Sequence, residues 1–297
     1  MIFPFKLLSN HFLSKSYQKI LILLYFLFTS SIFFSISCKG HQADKYFKEG
    51  LELERKKFYE EAIPLYEKAV ALKPDFPEAL YHLGVSYLAL GNTSRAIEWL
   101  EKAVEKKRNY EEAQTKLGEL YLELGRFGKA IETYTELVKI KPKESTYLIS
   151  LGEAFVNQGD YLEAVKYLSK VLDIAPNYRA YYLLGVCKGK LGDWEGAIKF
   201  LSKSSEMNPT FAEAYSAKAR ALYELKKYDE AIKYAELALQ ANPHYPNTHV
   251  VLGMIFYAKG DVDSYRREVE LLERINPGLA GILKMYINQK YPPKISR

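Results

Sequence analysis

The sequence predicts an all-α fold, a solenoid of about seven helix–turn–helix repeats closed by a C-terminal capping helix. Three observations predict it: small residues recur every 33 or 34 residues, alanine and proline are locked to the same phase, and an amphipathic segment follows the last repeat. The composition agrees. With 48% hydrophobic and 26% charged residues over 297, the chain is an ordinary folded protein and not a mostly disordered one. Its two cysteines, Cys38 and Cys187, supply no disulfide framework, and the five histidines show no metal-ligand spacing.

The N-terminal segment stands apart from the repeats. The net charge of +6 includes Lys6, Lys15 and Lys19, and residues 1–37 contain no acid. The remainder carries 39 basic against 36 acidic residues, a near-neutral body unlike one that binds nucleic acid through clustered cations. Ile20–Ile36 has no charge. As a helix it spans about 25 Å against a hydrocarbon core of about 30 Å, between a signal-peptide core and a transmembrane anchor. The cations precede it, so the remainder is expected to be translocated. Residues 1–37 therefore read as a signal peptide or signal anchor, and 38–42 as a short tether. Phe34-Ser35-Ile36-Ser37-Cys38 resembles the lipobox of bacterial lipoproteins, with Ser35 where leucine is usual. That resemblance implies lipidation at Cys38 and an exported protein, membrane-anchored in the cell envelope. An uncleaved signal anchor and an incidental thiol at Cys38 are the alternatives.

The repeat is read from its fixed positions. Gly50, Gly84, Gly118, Gly152, Gly185, Ala219 and Gly253 occupy the eighth position of successive units. Twelve residues on stand Ala62, Ala96, Ala130, Ala164, Ala197, Ala231 and, as an exception, Tyr265. Twelve further stand Pro74, Arg108, Pro142, Pro176, Pro209, Pro243 and Pro277. At about 5% proline, six of seven at one phase is an event on the order of one in ten million. The pattern resembles the tetratricopeptide repeat, a helix–turn–helix unit of about 34 residues. The resemblance implies a right-handed superhelical solenoid with units at 43–76, 77–110, 111–144, 145–177, 178–211, 212–245 and 246–277, and 278–297 as capping helix and tail.

Each position has a physical role. Small residues at positions eight and twenty let the paired helices, A and B, approach closely. Gly91, Gly125, Gly159, Gly192 and Gly260 are expected to end helix A with positive φ. Phe127, Tyr161, Trp194 and Tyr228 follow, in the hinge between the helices. Proline at position 32 is expected to stop helix B, and Lys106-Lys107-Arg108 to substitute for it through the helix dipole. The short interval is expected to tighten the turn at Pro176, and Pro64 to kink the first helix B. Positions three, seven, ten and fourteen form the stripe that packs on the preceding unit, for example Ala79, Leu83, Ser86 and Leu90. In the first unit those positions are Lys45, Glu49, Glu52 and Lys56, a face unsuited to burial. At the other end, Leu279, Ile282, Leu283, Tyr286 and Ile287 are expected to form the apolar face of the capping helix. Cys187 falls on the packed stripe and reads as a small core residue.

No catalytic constellation accompanies the repeats. There is no phosphate-binding G-x-x-x-x-G-K-[ST], no G-x-S-x-G, no H-E-x-x-H and no C-x-x-C. Asn92-Thr93-Ser94 matches a glycosylation sequon. The sequence thus reads as non-enzymatic, with no cofactor, no metal, no nucleic acid and no small-molecule substrate. The family resemblance implies a concave groove lined by the second, fifth, ninth and twelfth positions of each helix A. The candidate groove residues are Tyr81, Val85, Tyr182, Val186, Arg220, Tyr223, Val250, Met254 and Tyr257, a surface for a protein or peptide partner. Coverage of some of them by the terminal helix is the competing reading. The carboxylate clamp of the family's chaperone-binding members needs Asn at the ninth position, and no unit here has it.

Overall fold

A computed structural model describes residues 39–290; the leader, including Cys38, and residues 291–297 lie outside it. The described residues form helices joined by short turns, without a strand among them. The first helix, α1, spans 39–55. Then follow α2 (Tyr59–Leu72), α3 (Pro77–Ala89), α4 (Thr93–Lys106), α5 (Glu111–Glu123), α6 (Phe127–Ile140), α7 (Ser145–Gln158) and α8 (Tyr161–Ile174). The series continues with α9 (Tyr178–Lys190), α10 (Trp194–Met207), α11 (Ala212–Glu224), α12 (Tyr228–Ala241), α13 (Pro246–Lys259), α14 (Val262–Ile275) and α15 (Pro277–Lys290). Odd-numbered helices up to α13 are the A helices and even-numbered ones the B helices. The described residues divide into two compact units, the first ending at Leu117 and the second beginning at Gly118. Within each, consecutive helices pack as antiparallel pairs.

One backbone device closes every pair. In all seven repeats an amide two or three residues beyond helix A returns to a carbonyl five residues back: Phe58 to Leu53, Asn92 to Tyr87, Arg126 to Tyr121, Asp160 to Phe155, Asp193 to Lys188, Lys227 to Leu222 and Asp261 to Phe256. These N···O distances are 2.8–2.9 Å. The residue before each donor lies in the left-handed region, where glycine meets no Cβ penalty. Glycine stands there in five repeats, but Lys57 (φ 63°) and Lys226 (φ 61°) hold the same conformation in the first and sixth. The geometry belongs to the repeat, and the glycine only makes it cheaper.

The eighth position sets how closely A and B approach. A Cβ on Gly50 or Gly118 would lie 2.6 or 2.7 Å from the ring of Tyr66 or Tyr134. On Gly84, Gly152 and Gly185 it would lie 2.8, 2.5 and 2.6 Å from Cγ of Leu100, Leu168 and Leu201. The opposing residue comes from one position of helix B, four after the conserved-phase alanine. In the sixth repeat the eighth residue is Ala219, and the opposing position holds Ala235, so the added methyl is offset by a smaller partner. In the seventh the partner is Leu283 of α15, 2.7 Å from a Cβ on Gly253.

Several expectations are met and several are corrected. The turn after α8 holds residues 175–177, against four-residue turns after the other B helices up to α12, so the missing residue is taken from the Pro176 turn. Helix α4 ends at Lys106, two residues before Arg108, at the same phase at which the other B helices end before proline. Proline is therefore not required for that stop. Pro277, the last of the series, also opens α15 as its first residue. Helix α2 continues through Pro64 to Leu72. Asn92 of the sequon caps α4, its Oδ1 accepting the Arg95 amide at 3.2 Å. Lys45, Glu49, Glu52 and Lys56 are all exposed. The fourteenth position does not join the packed stripe: Leu90, Leu124 and Leu191 lie beyond the last residue of their A helices and are exposed. On α15 the buried face is Ala280, Leu283 and Ile287, while Ile282 is 53% exposed, so the apolar face is turned relative to the expected one. Cys187 is fully buried, and burial pushes its thiol up to about 12.

These contacts predict opposite outcomes for two glycine substitutions. Gly152→Ala drives a methyl into Leu168 and should cost about 1–3 kcal/mol. Gly128→Ala, on α6 with nothing within 4 Å of the new Cβ, should gain about 0.5–1 kcal/mol. Relieving the left-handed strain with Lys226→Gly should gain about 1 kcal/mol. Urea denaturation midpoints of the three variants check the signs.

Candidate functional site

The candidate residues lie on the face presented by the A helices, and each compact unit carries its own part. In the first unit, Tyr81 and Val85 on α3 are half-buried. Tyr81 packs edge-on against His82 at 5.1 Å and lies 5.3 Å from Tyr110. Beside them is a polar cluster that the sequence reading did not single out. Glu54 of α1 accepts from the Tyr66 hydroxyl at 2.6 Å, and His82 Nδ1 lies 3.1 and 3.0 Å from its two oxygens. The ring of Phe47 lies 5.9 Å from Tyr66, 4.8 Å from Phe76 and 5.6 Å from His82. Burial opposes ionisation of Glu54, but the hydrogen bonds from His82 and Tyr66 outweigh it and hold its carboxyl below the ordinary range. Its twelfth-position carboxylate, where other repeats have Leu88, Leu122 or Val156, was the available signal.

In the second unit the face has three parts. Tyr182 of α9 packs edge-on against Phe211 at 5.1 Å, and Phe211 meets Tyr178 at the same separation. Arg179 and Glu153 pair at 3.0 Å nearby. Burial, with Tyr245, Glu213 and Glu153 as neighbours, pushes the Tyr182 hydroxyl above its ordinary value. It is neutral at physiological pH and available as a hydrogen-bond donor.

The second part is closed by the chain itself. Helix α15 packs on both α13 and α14. Its last turn crosses to α11: Lys290 Nζ donates to Glu224 Oε2 at 3.5 Å and to the Tyr286 hydroxyl at 2.7 Å, and lies 4.7 Å from the Tyr223 ring centroid. The Arg220 guanidinium sits 5.5 Å from the Tyr286 ring, bonds Glu224 at 2.9 Å and donates to Met254 Sδ at 3.3 Å. Tyr223 and Met254 are consequently 2% and 1% exposed. Val250 and Tyr257 are half-buried against the same cluster, with Tyr257 5.1 Å from Tyr265. In this arrangement Tyr223 and Met254 offer almost no surface to a partner, and Arg220 is held by three neighbours.

The third part is open. Between α9 and α11 lies a notch of about 200 Å³ lined by Gly185, Val186, Gly189, Ala217 and Ala221. Trp194, Ala197 and Leu201 of α10 lie beneath, and Lys190 and Arg220 complete the lining. The notch exists because the twelfth position of the fifth repeat is Gly189, and because α11 faces it with two alanines one turn apart. Among the described residues no group of three or more His, Cys, Asp or Glu could hold a metal ion, and no helix is long and apolar enough to cross a membrane. The segment 20–36 and Cys38 lie outside the described residues.

Two family models, both described as tetratricopeptide repeat, match the chain, one over residues 56–116 and one over 106–145, 115–179 and 216–278. A third, described as anaphase-promoting complex, cyclosome, subunit 3, matches residues 157–238. Among solved structures, a tetratricopeptide repeat protein from Parabacteroides merdae is 18% identical with a TM-score of 0.67, covering 84% of this chain and 100% of its own. PilW, a widely conserved type IV pilus biogenesis factor, is 20% identical with a TM-score of 0.60, covering 70% and 98%. MamA from Desulfovibrio magneticus RS-1 is 21% identical with a TM-score of 0.51, covering 57% and 96%. At such identities the likeness is one of fold. No curated protein sequence matches the chain.

Two outcomes test this geometry. Leu283→Ala empties the α13–α15 seam and should cost about 2–5 kcal/mol. It should also speed peroxide oxidation of Met254, while Met207 and Met285, already exposed, oxidise at unchanged rates in peptide mass spectra. For Glu54 the folded pKa lies below the unfolded one. Its stabilisation is therefore full above the unfolded carboxylate value and is lost as pH falls through the folded one. The stability gap between wild type and Glu54→Gln should shrink on acidification from pH 7 to pH 3.

Proposed function

The chain belongs to the tetratricopeptide repeat family, and on that premise we propose that it is a non-enzymatic interaction scaffold, held at a membrane of the cell envelope by its N-terminus. The observation that carries the interaction reading is the open notch at Gly189, flanked by the half-buried Tyr182 and Val186. This is unfilled apolar surface on the A-helix face. A partner segment laid there gains from a buried aromatic or aliphatic anchor more than from total area. The envelope location rests on the basic leader, the uncharged Ile20–Ile36 run and the Ser37-Cys38 junction. The likeness of fold to PilW favours a role as an adaptor in envelope assembly, secretion or pilus biogenesis. The second reading keeps the scaffold and replaces the lipid by an uncleaved signal anchor, favoured by Ser35 at the position where a lipobox has leucine.

Mass spectrometry of the N-terminal peptide separates the two. The lipoprotein reading expects acylated Cys38 as the first residue, whereas an intact Ile36-Ser37-Cys38 peptide with a free thiol overturns it. For the interaction, a photoreactive residue at Val186 in intact cells is expected to capture a discrete envelope partner. Tyr182→Ala with Arg220→Ala should cut the yield about tenfold or more, the equivalent of 1.4 kcal/mol. An unchanged yield from that folded double variant would remove the A-helix face as the binding surface.

A further inference from the structure

The notch between α9 and α11 has a chemistry more specific than a general groove, and it deepens the scaffold reading on which it rests. Its walls are hydrogen atoms and methyls, Gly185 and Gly189 on one helix and Ala217 and Ala221 on the other, and its floor includes the Trp194 ring. A volume of about 200 Å³ exceeds the roughly 150 Å³ of an apolar cavity that admits benzene, so one leucine or phenylalanine side chain fits.

The charges beside it are unequal. Asp193 is engaged by Lys188 at 3.1 Å and by the Gly196 amide at 2.9 Å. Glu224 is engaged by Arg220 at 2.9 Å and by Lys290 at 3.5 Å. Asp193 and Glu224 are thus committed to other cations, while Lys190, exposed in the notch lining, makes no ion pair among the described residues. A cation without an ion pair stands next to an apolar hole. We propose that the notch is an anchor subsite for an acidic partner segment, which inserts one large apolar side chain over Trp194 and places an adjacent carboxylate on Lys190.

The chain offers its own reporter, because Trp99 and Trp194 are its two tryptophans. The full chain in detergent, carrying Trp99→Phe, is titrated with three capped heptapeptides while Trp194 emission is followed. One has a central leucine flanked by glutamates, the second has alanine at the centre, and the third has lysines for the glutamates. The expected result is a saturable emission shift with the first, and binding at least tenfold weaker with the other two. Gly189→Leu, which places at this position the leucine found as Leu88 and Leu122, should abolish the saturable shift while the chain keeps its helical circular dichroism. Lys190→Glu should invert the preference between the glutamate and lysine peptides. Equal binding of the three peptides, or undiminished binding to folded Gly189→Leu, overturns the proposal. So does an emission shift on deleting residues 291–297 without any peptide, which would make the chain's own tail the occupant. If Gly189→Leu still captures the cellular partner through Val186, the subsite fails while the scaffold reading stands.

Discussion

The approach of each A helix to its B helix at the eighth position is the contact on which the rest of the structure depends. A hydrogen atom there lets the leucine or tyrosine opposite it sit against the A-helix backbone, and any Cβ would lie within 2.9 Å of that side chain. Because cores are packed to near crystalline density, such a contact fixes the separation and rotation of the pair. The Schellman-type turn then fixes the angle at which the chain re-enters, with the same amide-to-carbonyl bond in all seven repeats. The sixth repeat shows that distance, not glycine, is what is held constant: Ala219 is matched by Ala235. With the B helices bound in this way, the outer face of each A helix is left for something else.

What that face offers depends on what the chain has already spent. At the C-terminal end, Tyr265 replaces the alanine that would admit a normal neighbour, and Leu283 of α15 takes the place against Gly253. The same helix sends Tyr286 and Lys290 across to Arg220, Glu224 and Tyr223. An amphipathic helix that ends a repeat stack covers an apolar surface which would otherwise meet water. Here the cover includes Tyr223 and Met254, so the apolar surface left open on the A helices of this unit lies between α9 and α11.

Much of this was legible in the sequence because repetition multiplies weak signals. Glycine at 91, 125, 159, 192 and 260 predicted positive φ, and the backbone confirms it. The same periodicity located the tightened turn at Pro176. Failures occurred where periodicity ends or where residues distant in sequence meet. Leu90, Leu124 and Leu191 continue the helical stripe on paper, but the helix has already stopped, so they are exposed. Ile282 and Ala280 cannot be ranked by pattern alone: size favours isoleucine inside, and the close seam at Gly253 favours the face with Leu283. Tyr223 and Met254 lie on A helices, where they were expected as open groove residues, yet nothing in their own repeats announces that Tyr286 and Lys290, more than thirty residues away, pack beside them. The Glu54–His82–Tyr66 cluster was missed for the same reason, since its members come from three helices.

Gly189 bears a different relation to the fold from Gly185. Gly185 is demanded by Leu201, whose Cγ would stand 2.6 Å from a new Cβ. A Cβ on Gly189 would meet the edge of the Trp194 ring at 3.0 Å and the Ala197 methyl at 3.8 Å, at a position where the first repeat carries glutamate and the others leucine, valine or tyrosine. Glycine inside a helix costs about 1 kcal/mol relative to alanine, so its presence calls for an offset. Part of that offset is Trp194, larger than the Thr93, Phe127, Tyr161 and Tyr228 that open the neighbouring B helices, and accommodated by the missing side chain. Trp194 does not fill the space, however, and about 200 Å³ remains beside its ring. A glycine–tryptophan exchange serving stability alone would close that gap, because unfilled apolar volume forfeits dispersion contacts on every wall. The pair instead provides an aromatic floor beneath an open apolar hole, the geometry on which the proposed anchor subsite rests.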